Sequence, residues 1–190
     1  QARFAVDTAV RHFGRLDVLV NNAGSAGPKA PIERLPLSRE ELDGLRAAGS
    51  TDTETVADAA GNLLGLGWNM VRAAAPHLTT GASVINVSTI FSRTRYFGRA
   101  AYVVPKSALN AFSRQLALQL GARGIRVNTV YPGPIESDRI RTVFKAMDGL
   151  RNVADGTTAN DFTQTMALAR ADGDTAARHS LPTVDDVANT

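Results

Sequence analysis

Apolar residues group along this chain in two ways that ask for different elements. Three short runs, LDVLVN (16–21), ASVINVS (82–88) and IRVNTVYPG (125–133), are rich in Val and Ile without strict alternation. A strand with one wet face alternates, so runs of this kind predict strands buried on both faces of a parallel sheet. Between them, the stretches 52–79 and 100–122 repeat apolar positions at helical spacing, and each is long enough to cross over between parallel strands. The opening QARFAVDTAVRHFG has the spacing of an amphipathic helix. This alternation predicts an α/β architecture, a doubly wound parallel sheet of Rossmann type. The Gly- and Pro-rich stretch 24–38 reads as a surface loop, and Gly61, Asn62, Gly65 and Gly67 inside the first long helical stretch suggest a local kink or close contact. After Pro134 a polar segment carries two weaker helical patterns, around 138–148 and 158–170, and 138–182 reads as a helical lid. The chain opens inside a helix, and Thr183 resembles the N-cap of one with no room to finish, so 1–190 reads as a single, incomplete domain.

Composition narrows the chemistry. A chain of 190 residues with 44% hydrophobic content suits one buried core, and the absence of cysteine excludes disulfides, thiolate metal sites and thiol nucleophiles. His12, His77 and His179 lie too far apart to suggest a ligand set, so no metal is expected. No apolar run reaches the roughly 18 residues of a membrane span, and the N-terminus does not read as a signal peptide, which points to a cytoplasmic protein with no membrane partner. The net charge of +3 is spread along the chain with no basic block, so nucleic acid is not indicated.

In an open parallel sheet, ligands bind beyond the carboxyl ends of the strands, and this directs attention to the residues just after each run. The first run leads into Asn21-Asn22-Ala23-Gly24, where small residues admit a flat group close to the backbone and asparagine amides can tie strands together. Alone, such a tetrapeptide is an ordinary turn. The second ends at Ser88-Thr89, two hydroxyls that alone would cap something. Tyr102 and Lys106 come next, four apart where a helical pattern begins, and so share one helix face. A phenol is a poor acid or base at neutral pH, and a nearby ammonium favours its phenolate. Only three of the chain's 21 basic residues are lysines, so a compact ammonium at 106 stands out from the prevailing arginine. The third run ends in Tyr131-Pro132-Gly133-Pro134-Ile135-Glu136-Ser137, a stiff turn whose backbone could hold a carboxamide.

Taken in order, NNAG after one strand, Asn62 in the next long helix, hydroxyls after the next strand, YxxxK 13 residues beyond Thr89 and PG after the third strand closely resemble the short-chain dehydrogenase/reductase family, over essentially the whole chain. That resemblance implies that Tyr102 is the general acid/base and that Lys106 supports it while binding the nicotinamide ribose. It further implies that Thr89 hydrogen-bonds the substrate oxygen and that Asn62 holds a water in a proton relay to Lys106. Asn21, Ala23 and Gly24 would line the adenine side of the cofactor, and Pro132, Gly133, Ile135 and Ser137 its nicotinamide end. The sequence departs from the family in two places. The glycine-rich TGxxxGxG turn and the residue that selects NAD or NADP do not occur, which marks the sheet as incomplete at its N-terminus. Threonine stands at 89 where serine is usual, and keeps the hydroxyl with a stiffer side chain.

The stretches NNAGSAG, NLLGLGWNMVRAAAPH, VINVSTIFSR and PGPIESDRIRTVFKAMDGL carry a narrower resemblance, to the amino-terminal reductase modules of bifunctional malonyl-CoA reductases. It implies NADPH-dependent reduction of malonate semialdehyde to 3-hydroxypropionate, NADH not excluded, in a longer chain that forms a homo-oligomer. Arg93, Arg95, Arg99, Arg139 and Arg141 flank the catalytic segment and the lid, and guanidinium groups there suit an anionic aldehyde. A surface rim that never touches substrate would account for most of them equally well. The alternatives are a general carbonyl or 3-ketoacyl reductase of the same family and a catalytically silent, cofactor-binding scaffold.

Overall fold

The structure, a computed structural model, describes residues 1–28, 30–50, 54–94 and 98–167. In chain order the elements are α1 (Ala2–Phe13), β1 (Leu16–Asn21), α2 (Arg39–Ala47), α3 (Val56–Ala60), a π-turn (Gly61–Gly65), α4 (Leu66–Ala74), β2 (Leu78–Val87), α5 (Ala100–Gly121), β3 (Arg126–Val130), α6 (Asp138–Arg151) and α7 (Thr157–Ala167). Short 3₁₀ turns occupy Ile32–Arg34, Ala75–His77 and Ile90–Ser92. The chain divides into two compact units, Gln1–Pro132 and Gly133–Thr190. No helix among the described residues is long and apolar enough to cross a membrane.

In the first unit the strands form a parallel sheet in the order β1-β2-β3, which is the α/β, Rossmann-type arrangement that the alternation predicts. Side chains alternate across a strand, so Leu19, Val84 and Val127 share one face. Onto that face pack Val6 and Val10 of α1, Val71 and Ala74 of α4, and Leu116 and Leu120 of α5, forming the core. The opposite face differs from the expectation of strands buried on both sides. Val18 and Val20 are each 53% exposed, and Arg126, Asn128 and Val130 on β3 are at least partly exposed as well. The Val- and Ile-rich runs suit a sheet covered twice, and the core helices among the described residues cover it once.

The long helical stretch is not one helix. A capping box between Thr55 and Asp58 starts α3, the π-turn interrupts it at Gly61–Gly65, and a 3₁₀ turn containing Pro76 ends it before β2. π-turns insert a residue into the helical repeat, and the two glycines mark its ends with little side-chain resistance. Downstream, β2 begins four residues earlier than the sequence suggests and β3 stops at Val130, before Pro132 removes a backbone donor. α2 was not expected from the sequence; a capping box between Ser38 and Glu41 opens it.

The second unit is described as far as Ala167 and contains α6 and α7. Asn152 ends α6 in the left-handed conformation, and the buried Asp148 carboxylate accepts the backbone N–H groups of Gly156 and Thr158, each at 2.7 Å. Phe144 and Phe162 pack with ring centroids 5.9 Å apart. The remainder of the expected lid, to residue 182, and the helix start at Thr183 lie outside the described residues.

Candidate active site

The tip of β2 is fixed from two directions. The backbone N–H groups of Ser88 and Ile90 bond to the carbonyls of Val130 and Pro132 at 2.9 and 3.0 Å, continuing the β2–β3 pairing beyond both strand ends. Pro132 is thereby held beside the Thr89 segment. Thr89 is 4% exposed and N-caps the 3₁₀ turn, its hydroxyl accepting from the Phe91 N–H at 3.3 Å. Ser88 faces α5 and donates to the carbonyl of Lys106 at 3.3 Å. Ser92 donates to the Thr89 carbonyl at 2.6 Å and accepts from the Asn110 amide at 2.8 Å. These hydroxyls and one amide tie the strand tip to the helix that carries the candidate acid/base.

That helix, α5, begins at Ala100, so Tyr102 lies in its first turn and Lys106 one turn later, as the four-residue spacing requires. Lys106 is 5% exposed, and its ammonium donates to the Val87 carbonyl at the end of β2 at 2.6 Å. Burial pushes this ammonium down from the ordinary lysine range, because a charge taken out of water is disfavoured. Arg99, the N-cap residue, is also buried, and its guanidinium carbon lies 4.8 Å from the centroid of the Tyr102 ring.

Asn62 lies within the π-turn, which packs against α5, and its amide donates to the Glu54 carboxylate at 2.7 Å. Glu54 was not singled out in the sequence, since it precedes the helix and meets Asn62 only through the irregular turn. After β1, the Asn21 amide donates to Asn86 at 2.8 Å, and Asn86 donates to Ser113 of α5 at 2.8 Å, so asparagine does tie neighbouring strands together here. Asn86, fully buried inside an apolar run, was the available signal for this chain of bonds.

The segment after β1, where the sequence points to the adenine side of a dinucleotide, is built of small residues. Ala23 and Gly24 are small and at least partly exposed, and a Cβ at Gly24 would stand 2.9 Å from the Leu63 side chain. The Ser25 hydroxyl is buried without a hydrogen-bond partner among the described residues, leaving a polar group in reserve beside them.

In the second unit, Ser137 N-caps α6, its hydroxyl accepting from the Ile140 N–H at 3.3 Å and donating to the Ile135 carbonyl at 3.2 Å. Gly133 and Ile135 are half-buried. Arg141 is engaged by Glu136 at 2.6 Å and Asp138 at 3.2 Å, and Arg139 is exposed. Arg93, in the first unit, has its guanidinium 4.3 Å from the Tyr131 ring centroid and is not buried. Arg95 lies outside the described residues.

Residues 1–171 match a family model described as Enoyl-(Acyl carrier protein) reductase. Among solved structures, the N-domain of a bacterial malonyl-CoA reductase with NADP is 60% identical, over 99% of this chain and 34% of that one, with a TM-score of 0.89. A blue fluorescent protein from a metagenomic library, in complex with NADPH, is 28% identical over 100% of this chain and 61% of that one, with a TM-score of 0.68. The chloroplastic NADPH-dependent aldehyde reductase 1 of Arabidopsis thaliana is 37% identical over 142 residues, 73% of this chain and 43% of that protein. The chain thus spans less than half the length of this curated relative.

Proposed function

Proceeding from a chain that belongs to the short-chain dehydrogenase/reductase family, we propose that it forms the catalytic part of an NADPH-dependent reductase that converts malonate semialdehyde to 3-hydroxypropionate within a malonyl-CoA reductase. The observation that carries this reading is the arrangement on α5, a tyrosine in the first turn and a buried lysine held at the end of β2, beside a threonine hydroxyl at the strand tip. The 60% identity to the N-domain of a bacterial malonyl-CoA reductase supports the choice of substrate.

When bound, the nicotinamide supplies the hydride that reaches the aldehyde carbon. Tyr102 gives its phenolic proton to the aldehyde oxygen, which the Thr89 hydroxyl holds as negative charge develops there. Lys106 keeps a positive charge beside the phenol and binds the nicotinamide ribose. Asn62 holds a water that returns protons toward Lys106, and the bond to Glu54 fixes the plane of its amide. Asn21, Ala23 and Gly24 line the adenine side of the cofactor. Pro132, Gly133, Ile135 and Ser137 hold its nicotinamide end. The full-length protein works as a homo-oligomer.

The test is NADPH oxidation by the purified full-length protein with malonate semialdehyde, propanal and a 3-ketoacyl thioester as competing substrates. Malonate semialdehyde should have the highest kcat/KM. Preference for the thioester or for propanal would replace this assignment with a general carbonyl or ketoacyl reductase, and cofactor binding without turnover of any carbonyl would leave a silent scaffold.

A further inference from the structure

Tyr102, Lys106 and Asn110 follow one another at single-turn spacing on one face of α5. The proposed reaction uses the first two, and the third is a buried amide one turn beyond them, 8% exposed. Its Nδ2 donates to the Ser92 hydroxyl at 2.8 Å, while its carbonyl oxygen has no partner among the described residues. The amide is therefore oriented by its donor end. A hydroxyl has a single proton to give. Because Asn110 donates into the Ser92 oxygen, the Ser92 proton is directed away from it, to the Thr89 carbonyl at 2.6 Å. The same carbonyl accepts the Ser92 backbone N–H at 3.1 Å, which closes the 3₁₀ turn. Within that turn the Phe91 N–H donates to the Thr89 hydroxyl oxygen at 3.3 Å. Thr89 thus receives a hydrogen bond on its side chain and retains its own hydroxyl proton. Ser88, whose hydroxyl lies 3.4 Å from that of Ser92, gives its proton to the Lys106 carbonyl and leaves this order undisturbed.

We propose that Asn110 is a positioning residue for the hydroxyl that meets the substrate oxygen, its amide holding Ser92 as a donor to the Thr89 carbonyl so that Thr89 keeps its own proton for the substrate. The assignment rests on the reductase reading of Thr89 and adds a residue to it. A donor stabilises developing negative charge best when it is in place before the charge appears, because reorientation during the reaction would cancel part of the gain. The branched Thr89 side chain limits its own rotation, and the turn sets the backbone that carries it. Asn110 supplies what neither provides, the direction in which the hydrogen bonds run. An acceptor at the same place would reverse that direction and draw the Ser92 proton away from Thr89. Asn110 acts through Ser92 and Thr89, so it serves every carbonyl substrate alike and contributes nothing to cofactor affinity.

The experiment measures NADPH affinity and the steady-state reduction of malonate semialdehyde and of propanal by the full-length protein. It compares wild type, Asn110→Asp, Asn110→Leu, Ser92→Ala and the combination of Asn110→Asp with Ser92→Ala. Asn110→Asp keeps the shape, but under mildly alkaline conditions its ionised carboxylate only accepts, so Ser92 turns its proton toward it and releases the Thr89 carbonyl. Then kcat should fall roughly tenfold on both substrates, with KM little changed and the NADPH Kd within about twofold of wild type, as for a contact made only in the transition state. Asn110→Leu should lose less, because Ser92 stays free to donate to Thr89 part of the time. Ser92→Ala should reproduce the loss seen with Asn110→Asp, and combining the two should change kcat by less than about twofold more, since both act along one path. Wild-type kcat in both Asn110 variants, or a further large loss in the combination, overturns Asn110 and leaves the reductase reading standing. A loss of NADPH affinity as large as the loss of kcat would make Asn110 a brace of the fold and overturns it equally. A wild type that reduces neither carbonyl overturns both readings. If neither Asn110 variant folds, Ser92→Ala decides: a roughly tenfold loss of kcat at unchanged NADPH affinity supports the proposal, and wild-type kcat refutes it.

Discussion

Lys106 carries opposite consequences for activity and for stability. The proposed mechanism needs its ammonium beside Tyr102, yet burial pushes its proton affinity below that of an exposed lysine. Activity should therefore fall as pH rises through a value below the ordinary lysine range of about 10.4. For stability the sign reverses. Between the folded value and the higher unfolded one, the unfolded chain binds more protons, so this group's contribution to stability grows with pH across that window and is lost as pH falls through the folded value. Rate and melting temperature followed over the same alkaline series should separate, and Lys106→Met should remove that part of the melting-temperature slope; an alkaline limb at the ordinary lysine value would defeat this account. At Tyr102, exchange for Phe keeps the ring and removes only the proton donor, so turnover should drop by about a hundredfold or more with cofactor affinity nearly unchanged. Wild-type turnover in the purified variant would take Tyr102 out of the mechanism. The Tyr102–Lys106 pair was legible in the sequence because a four-residue spacing has one meaning on a helix. The Asn62–Glu54 pair was not, because an eight-residue separation running through a π-turn has no fixed geometry.

Elements were legible where the period was long and clean, and their irregularities less so. The strand at 16–21 and the helix at 100–122 are found within a residue of their expected bounds, since each is closed by a turn residue, Gly14 before β1 and Gly124 after α5. The clustered glycines at 61 and 65 did mark a break in the helical repeat, although its kind, a π-turn, depends on packing against α5 that no local pattern encodes. α6 and α7 show how a hidden polar group can hold two weakly patterned helices together. Burial alone would raise the Asp148 carboxyl, but the hydrogen bonds from Thr158 and Gly156 and the nearby Arg151 outweigh it, and the group is held below the usual carboxylate range. Its contribution is therefore present above the unfolded value of about 3.9 and is lost as pH falls through the lower folded value. Asp148→Ala strands two backbone N–H groups and should cost roughly 2–4 kcal/mol of the stability of this helix pair. Hydrogen exchange at Gly156 and Thr158 reads that loss directly, and unchanged protection there would assign the pairing of α6 and α7 to the Phe144–Phe162 contact instead.

On the scale of the molecule, the three strands present two unlike faces. Leu19, Val84 and Val127 lie under α1, α4 and α5, while Val18, Val20 and Val130 on the other side are 43–53% exposed. In the order β1-β2-β3 the outer edge of β1 has no strand partner among the described residues, so its free backbone groups flank that apolar face. Apolar strips beside an open strand edge favour association with further strands or with apolar dyes. The sequence foretold these valines as sheet residues, but the expectation that both faces are buried rested on Val- and Ile-rich runs without strict alternation, a pattern that cannot say which elements supply the cover. The 190-residue chain on its own should therefore bind a hydrophobic dye and sediment with a mean mass that rises with concentration. Val18→Thr combined with Val20→Thr should reduce both effects, because threonine keeps the β-branch that the strand prefers and replaces a methyl with a hydroxyl that water can solvate. The core should tolerate the change, since neither side chain belongs to it. If the unaltered chain is monodisperse and dye-silent across that range, or if the double substitution lowers the melting temperature as a core change would, the face is covered in solution and the asymmetry drawn from these exposures is wrong.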